Sequence, residues 1–455
     1  MLDQIAAESR LFEAWSDEPW VVDGASVRVS LFCFGQGEDE LRLDGKTVAQ
    51  INSDLTAGST DLTKAHRLVE NKNIAFMGDT KGGAFDVPGE LARSWLRMPV
   101  NPNGRPNSDV LRPWRNGIDV TRRPRDMWIV DFGSGMSEQQ AALYEAPFQY
   151  IKEHVFPERT KNRRDAYRER WWRHVEARPA LHSALHGHSR YVATPRVAKH
   201  RTFVWLDQSV LPDSRIFAFS RSDDVFFGIL HSRFHEAWSL GTCSWHGVGN
   251  DPTYNSAGVF ETFPFPAGLS PDVPAIRYEK DSRALAISTA ARKLVDFRDA
   301  WLNPTDLVEM RPEAVSGFPD RILAKDTAAQ AVLRERTLTN LYNRRPQWLI
   351  DAHAKLDAAV ADAYGWPVDI SDEEAMAKLM ELNLSREAIG AGATSGKARK
   401  PRNPTPEEAR RAPQMRLPID GGLSTATTKE KSSGNMFGPQ EAGAKRTRRN
   451  VRRAS

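Results

Sequence analysis

The segment from Trp128 to Pro147, WIVDFGSGMSEQQAALYEAP, constrains the fold of this chain more than any other. A short apolar strand runs into an acid and a Gly-Ser-Gly turn (Gly133 to Gly135), and Ser137 and Gln140 have the capping-box spacing of a helix N-terminus. A loop that holds a dinucleotide phosphate or the methionine end of S-adenosylmethionine has this order of elements. Such a loop also needs a second parallel strand after the helix, usually ending in an acid. The chain continues instead into ERTKNRRDAYRERWWRH, a basic and aromatic stretch that we expect to be helical, so a tight turn before a capped helix explains the residues as well.

The bulk properties describe a protein of several domains. A chain of 455 residues is too long for one ordinary core and suggests two or three domains. Its apolar runs, such as VSLFCF and VFFGIL, are far shorter than the roughly 20 residues of a membrane span. The N-terminus shows no export signal, and the only cysteines, Cys33 and Cys243, lack metal-ligand spacing. We therefore expect a reduced, cytoplasmic setting.

The pattern along the chain predicts a mixed α+β fold with four parts. Residues 1–65 read as a helix followed by two strands, of which VRVSLFCF belongs inside a larger open sheet. Residues 66–268 are loop-rich, with predicted strands YVATPRV, TFVWLD, IFAFSR and VFFGIL. Residues 269–388 show apolar spacing near 3.6 and are predicted to be mostly helical. Residues 389–455 have few large apolar side chains, and we expect a disordered basic tail.

Positive charge is concentrated in two places. Residues 391–455 contain 15 Lys and Arg against 5 acids, and residues 152–201 contain 13 Lys and Arg against 5 acids, with six histidines. Aromatic residues are interleaved with the second block. Such a block points toward a polyanion, and a solvated helix face is the alternative.

Several long strings resemble one family. They include LFEAWSDEPWVVDGASVRVSLFCFG, NIAFMGDTKGGAFDVP, NPNGRPNSDVLRPWRNGIDVTRRP, YEAPFQYIKEHVFPERTKNRRDAYRERWW, SRYVATPRVAKHRTFVWLD, FFGILHSRFHEAWSL and FETFPFP. In this order, over roughly residues 1 to 385, they resemble the C-terminal half of single-chain restriction–modification enzymes of type IIG/IIL, the Mme-type group, and their stand-alone methyltransferase relatives. The resemblance implies the last strands of a Rossmann-like methyltransferase sheet, a target-recognition domain that binds double-stranded DNA, and a helical C-terminal region. The family transfers a methyl group from S-adenosylmethionine to N6 of adenine within a short DNA sequence.

The resemblance also implies that catalysis needs more than this chain. The family's Gly-rich donor motif and its Asn-Pro-Pro-aromatic loop precede the matching region, and no Asn/Asp/Ser-Pro-Pro-Tyr/Phe/Trp string occurs here. We therefore expect no S-adenosylmethionine binding by this chain alone, although the complete enzyme requires that cofactor. Two interpretations remain open. One is a truncated or split methyltransferase whose catalytic motifs lie in an upstream or separate chain, and the other is a non-catalytic DNA-specificity subunit that acts with a separate catalytic chain. An independent methyl-donor enzyme using Gly133 to Gly135 ranks behind both.

By the resemblance, individual residues acquire expected roles. Trp20 takes the place of the aromatic residue that stacks on a flipped adenine, with a core tryptophan as the alternative. The residues expected to contact DNA bases are Gly249, Asp251 and Thr253, at alternate positions of an extended segment. Asp251 is the strongest of the three because a carboxylate accepts from the cytosine amino group, and an ordinary Asn-Asp-Pro turn is its alternative.

The basic block supplies the expected contacts to DNA phosphates. They are Arg163, Arg164, Arg168, Arg170 and Arg173 on a predicted helix, and Arg196, Lys199 and Arg201 on a predicted strand. The histidines at positions 182, 186 and 188 come without partner cysteines or a convincing acid, so no metal site is predicted from them.

Overall fold

The computed structural model describes residues 8–22, 25–35, 40–53, 60–246 and 251–394, with isolated positions 2, 5, 55 and 57. The fold is mixed α+β. The strands are β1 (Arg10–Val22), β2 (Ala25–Gly35), β3 (Leu41–Leu43), β4 (Lys46–Val48), β5 (Ala75–Met77), β6 (Asp86–Pro88), β7 (Leu111–Arg115), β8 (Met127–Val130), β9 (Arg190–Pro195), β10 (Val204–Asp207), β11 (Leu211–Pro212), β12 (Ile216–Phe219), β13 (Ser244–His246), β14 (Asp251–Thr253), β15 (Val308–Arg311) and β16 (Arg321–Ala324). The α-helices are Gly89–Leu96, Gly117–Thr121, Glu138–Ala142, Glu145–His154, Phe156–Arg159, Asp165–Glu169, Pro179–Leu185, Asp224–His231, Arg233–Gly241, Ser282–Leu302, Thr327–Glu335, Leu338–Arg344, Gln347–Tyr364 and Asp372–Thr394.

The N-terminal sheet has the order β2-β1-β3-β4. β3 pairs parallel with β1, and β4 pairs antiparallel with β3, so residues 41–48 continue the sheet that the two long strands begin. The first of these strands runs from Arg10 to Val22. The strand β2, expected in the middle of a sheet, is an edge strand here, and its Leu31 and Phe34 side chains are exposed.

Two further four-stranded sheets occupy the centre of the described chain. The first central sheet has the order β10-β9-β12-β5, and the second has the order β11-β7-β8-β6. The predicted strands YVATPRV, TFVWLD and IFAFSR correspond to β9, β10 and β12. Each is mostly apolar, as expected for strands that are covered on both faces.

The prediction of a strand at VFFGIL is wrong, because these residues form the helix Asp224–His231. The Asp223 side chain caps it by accepting from the Phe226 backbone N–H at 2.9 Å. Residues 225–231 are all buried, so the helix is apolar around its whole circumference and shows no helical period. A Cβ at Gly228 would come within 2.7 Å of the Ile287 side chain, which shows how closely helix Ser282–Leu302 packs there.

The long helix expected through residues 157–174 is also absent. Short helices, Phe156–Arg159 and Asp165–Glu169, replace it. Trp171 and Trp172 lie beyond them in the core of the second central sheet, and their indole N–H groups donate to Glu138 and to the Met136 carbonyl. Trp171 and Trp172 are therefore core residues, not a surface for stacking.

The C-terminal part of the described chain is mostly helical. It contains the helices Ser282–Leu302 and Gln347–Tyr364, with the added hairpin β15–β16. Its last helix continues to Thr394, past the expected boundary at 388. Within the described residues, no helix is both long and apolar enough to cross a membrane. The basic tail prediction falls on residues 395–455, outside the described part of the chain.

One hydrophobic core joins the first central sheet to the C-terminal helices. It contains side chains from the sheet, from helix Asp224–His231 and from the last helices, namely Val192, Phe203, Phe217, Phe226, Ile287, Leu294, Leu356 and Leu379 among others. Leu269, next to the expected domain boundary at 268, is itself buried in it. The first central sheet and the C-terminal helices on either side of residue 268 therefore share a core.

Three histidines lie inside this core. The His235 Nδ1–H donates to the Leu230 carbonyl at 2.9 Å, and its Nε2 accepts from the Tyr254 hydroxyl at 3.1 Å. Burial lowers the pKa of His235 to about 3 and that of His353 to about 4. Burial, with the nearby Arg298 guanidinium, lowers the pKa of His231 well below its usual value. All three imidazoles are therefore neutral in the folded protein at neutral pH.

We expect the folded chain to lose stability in mild acid. These histidines titrate near pH 6.5 when unfolded, so their contribution is complete above pH 6.5 and is lost as the pH falls toward the folded values, by on the order of 1 kcal/mol per pH unit for each group. Urea unfolding between pH 7.5 and 5 measures this slope. His235→Gln should reduce it, and His186→Gln, at an exposed position, should not. An unchanged slope in His235→Gln would contradict the assignment.

Candidate nucleic-acid interface

The predicted base-reading segment lies in a two-stranded hairpin. Strand β14 pairs antiparallel with β13, so that Asp251 faces His246 and Pro252 faces Trp245. The extended conformation expected for positions 251 and 253 is therefore present, and Asp251 is part of a strand. Gly249 lies outside the described residues, and Thr253 is buried. Of the three predicted residues, Asp251 alone is seen with a partly accessible side chain.

Trp245, on the same hairpin, is an interface candidate that the sequence reasoning missed. Its side chain is 52% exposed, although large aromatic side chains usually lie in a core. Nothing in the surrounding string TCSWHG marks it as different from a core tryptophan. An exposed indole is suited to stacking or to apolar contact with a base.

Basic side chains lie directly beside this hairpin. Val197 forms a bridge with Thr253, and the Tyr254 N–H donates to the Arg196 carbonyl at 2.6 Å. The Arg196 N–H donates to the Arg215 carbonyl at 2.7 Å, which places a second exposed arginine next to the first.

Lys199 extends the same surface. Its Nζ donates to the Asn343 side-chain oxygen at 2.8 Å, and the His200 Nε2 lies 2.9 Å from the same atom. The predicted strand through these residues is wrong, since β9 ends at Pro195. We call Arg196, Lys199 and Arg215 the basic strip.

Arg201 does not lie on this surface. Its side chain is buried at 4% exposure and packs over the Tyr254 ring. The guanidinium donates to the carbonyl of Pro195 at 2.8 Å and to that of Pro252 at 3.0 Å. The assignment of Arg201 as a phosphate contact is therefore corrected, because the residue anchors strand β14 to the loop after β9.

The other predicted phosphate contacts form a second basic surface. Arg163, Arg164, Arg168 and Arg170 are exposed. Arg164 donates to the Tyr167 hydroxyl at 2.9 Å, and Arg168 pairs with Asp165. A cleft of about 180 Å³ opens between Tyr167, Arg170 and Arg173. The positive charge of these arginines makes the cleft suited to binding an anion.

Arg173 holds the Gly-Ser-Gly turn in place by hydrogen bonds to its backbone. Its guanidinium donates to the Ser134 carbonyl at 2.5 Å and to the Met136 carbonyl at 2.6 and 3.1 Å. The expected capping box is present, since the Gln140 N–H donates to the Ser137 hydroxyl, and the Ser137 N–H donates to the Gln140 side chain.

Strand β8 before the turn is antiparallel to both neighbours, whereas a dinucleotide or methyl-donor loop requires parallel strands. This segment does not have the architecture of a cofactor loop.

Trp20 lies near the end of β1, paired with Val27. Its side chain is 50% exposed. The alternative of a core tryptophan under the sheet is therefore not what the structure shows. Trp20 is available for a stacking role.

A buried polar cluster lies behind the cleft, and sequence reasoning missed most of it. His174 Nδ1 lies 3.2 Å from Asp79 Oδ2, and His182 Nε2 lies 3.1 Å from Asp79 Oδ1. Burial acts to raise the pKa of Asp79, but the hydrogen bonds with the two histidines outweigh it and lower the pKa. Of the three histidines in the predicted cluster, His182 alone joins this group. His188 contacts Ser222, and His186 is exposed.

Comparison with known proteins shows the fold. No protein-family model matches the chain, and no curated protein matches it. Among solved structures, the chain is similar to the type IIL restriction–modification enzyme MmeI in complex with DNA, with a TM-score of 0.59 and 16% sequence identity. The match covers 84% of this chain and 47% of the MmeI chain, so this chain spans about half of that protein's length. The fold is MmeI-like.

We expect the arginines near the hairpin to differ in their effect on stability. Arg201→Met removes the donors from two buried carbonyls and should lower the free energy of unfolding by roughly 2–4 kcal/mol. Arg196→Met, at an exposed position, should change it by less than about 0.5 kcal/mol. Urea unfolding of both variants measures the difference. Equal losses would show that Arg201 does not anchor the hairpin.

Proposed function

We propose that this chain binds double-stranded DNA at a specific sequence, as the target-recognition part of an S-adenosylmethionine-dependent DNA adenine-N6 methyltransferase of the restriction–modification type. The observation that carries the proposal is the hairpin β13–β14 lying against the basic strip in a chain with an MmeI-like fold. A protein that reads DNA needs both parts, because phosphate contacts position it and base contacts specify the sequence.

The basic strip is suited to the phosphate backbone. Arg196 and Arg215 are exposed, and the Arg215 guanidinium makes only a long contact of 3.5 Å to the Asp213 carboxylate. Lys199 is held by a neutral amide oxygen, so its charge is not neutralised by that contact. The second basic surface, Arg163 to Arg170, offers further contacts farther along a duplex. Each neutralised phosphate releases counterions and makes binding sensitive to salt.

The hairpin is suited to base readout. A two-stranded ribbon fits the major groove of B-form DNA, where each base pair presents a distinct pattern of donors and acceptors. Asp251 supplies an acceptor for the cytosine amino group. Trp245 pairs with Pro252, so its exposed indole supplies an apolar group on the opposite face of the hairpin from Asp251. The backbone contacts of residues 196–197 with residues 253–254 keep this hairpin in register with the basic strip.

The proposed reaction requires groups beyond those described here. The chain contains no Asn-Pro-Pro-aromatic loop, and its Gly-Ser-Gly turn does not fit a methyl donor. No step through S-adenosylmethionine is therefore assigned to these residues. In an assembled enzyme, Trp20 would replace the stacking that an adenine loses when it leaves the duplex. A non-catalytic specificity subunit that acts with a separate catalytic chain uses the same interface without that role.

Selection from a random duplex library tests the proposal. The full chain should enrich a defined short sequence. The triple variant Arg196→Gln, Lys199→Gln, Arg215→Gln should bind all duplexes more weakly, with a salt dependence reduced by up to about three units. Lys280→Gln, an exposed lysine in another part of the chain, is the matched control and should lower the slope by less than about one unit. No enrichment by the full chain, together with an unchanged slope in the triple variant, would contradict the proposal.

Asp251→Arg should change the selected base at one position while overall affinity is nearly kept. A carboxylate accepts from cytosine, whereas a guanidinium donates to guanine O6 and N7, so the preference should move toward guanine on that strand. Sequencing of the selected duplexes measures the change. A uniform loss at every position would show that Asp251 only shapes the hairpin.

A further inference from the structure

Asp79, Asp131 and His174 each bring one metal-binding atom to a common point, and these atoms lie within 4.8 Å of one another. The side chains of Asp79 and His174 are essentially inaccessible, and that of Asp131 is 8% exposed. We propose that these residues bind a zinc ion that joins the two central sheets. Asp79 follows β5 of the first central sheet, and Asp131 follows β8 of the second.

The spacing of the atoms fits a small divalent ion. In a tetrahedral zinc site with bonds of about 2.1 Å, neighbouring ligand atoms are about 3.4 Å apart. His174 Nδ1 lies 3.2 Å from Asp79 Oδ2 and 3.9 Å from Asp131 Oδ1. These two distances lie on either side of the tetrahedral value, and all three atoms lie within 4.8 Å of one another, so small shifts of the side chains would bring them to an ion.

The orientation of His174 is that of a metal ligand. Its Nε2 lies 3.0 Å from the Val130 carbonyl oxygen, which can only accept, so Nε2 carries a proton. The other nitrogen, Nδ1, points between two carboxylates. A positive charge is therefore required between Nδ1 and the carboxylates, and either a proton on His174 or a bound cation supplies it. The bound cation is the case proposed. Zinc-binding histidines commonly donate their second N–H to a backbone carbonyl in the same manner.

The charge of the cluster also favours a cation. Two carboxylates removed from water are costly unless they are compensated. Asp131 Oδ1 accepts from the Gly133 N–H, and Asp79 Oδ1 lies 3.1 Å from His182 Nε2. The contact with His182 leaves Asp79 Oδ2 for the ion. The Gly133 N–H fixes Asp131 Oδ1, which faces His174 Nδ1 and keeps a second lone pair for the ion. His182 is a positioning residue because it acts through Asp79 rather than on the ion.

The proposed site lies next to the basic cleft. His174 lines the cleft of about 180 Å³ beside Arg170 and Arg173. The proposed site therefore lies one side chain below the surface. Nitrogen and oxygen ligands of this kind suit zinc, and they also accept cobalt, which reports its coordination by visible absorption.

Metal analysis of the full chain, expressed without a polyhistidine tag, tests the site. About one zinc per chain should remain after gel filtration. Chelation with EDTA should lower the melting temperature, and added zinc should restore it. Cobalt added to the stripped chain should give the intense visible absorption of a four-coordinate ion. Asp131→Asn should weaken zinc retention by at least about tenfold, since a neutral amide is a poor ligand for this ion.

The controls separate this site from surface binding. His174→Gln should also lose the metal. If His174→Gln does not fold, because His174 is buried, Asp131→Asn still tests the site. His186→Gln, an exposed histidine on the same segment as His182, should retain zinc as the original chain does. Absence of zinc with a melting temperature unaffected by EDTA, or equal retention by Asp131→Asn, would overturn the proposal. The cluster would then be a hydrogen-bonded triad with a protonated His174. DNA binding is measured separately and does not depend on this outcome.

Discussion

The packing of helix Asp224–His231 is the constraint on which the rest of the structure depends. Because its residues are buried on every side, this helix needs cover from two directions. The first central sheet covers one side through Phe217 and Phe219, and helices Ser282–Leu302 and Gln347–Tyr364 cover the other. Arg298 strengthens this connection, since its guanidinium contacts His231 and donates to the Phe203 carbonyl at 2.9 Å. The C-terminal helices are thus the second half of the core beneath the proposed DNA-binding surface.

This arrangement gives the interface a rigid support. The loop after β9 carries Arg196 and Lys199 on its outer side and Arg201 on its inner side. Arg201 connects that loop to the Pro252 carbonyl of the hairpin, so the residues proposed to contact phosphates and those proposed to contact bases move as one unit. A site built on such a support loses less conformational entropy on binding than one built on free loops.

Where local signals agreed, the sequence predicted the fold well. The strands β9, β10 and β12 and the long C-terminal helices were confirmed because their apolar patterns are unambiguous. VFFGIL was assigned wrongly, since a short apolar run has the same appearance in a buried helix and in a buried strand. The long helix through the basic block was predicted wrongly because Trp171 and Trp172 lie in the core, which ends the helical pattern that their neighbours suggest. The proximity of Arg196 to the hairpin, the exposure of Trp245 and the meeting of Asp79 with His174 depend on contacts between distant segments, which a single sequence does not contain.

The shared core also limits how genes for such proteins can recombine. A crossover near codon 268 would join a sheet from one parent to helices from another. The contacts of Gly228 with Ile287 and of His231 with Arg298 would then be made between residues from different parents. A mismatch of one large side chain costs about 2–5 kcal/mol, against a total stability of about 5–15 kcal/mol for a typical protein. We expect chimaeras with that junction to unfold and to be lost by selection. The first central sheet, including β5, and the C-terminal helices would therefore have to be inherited together.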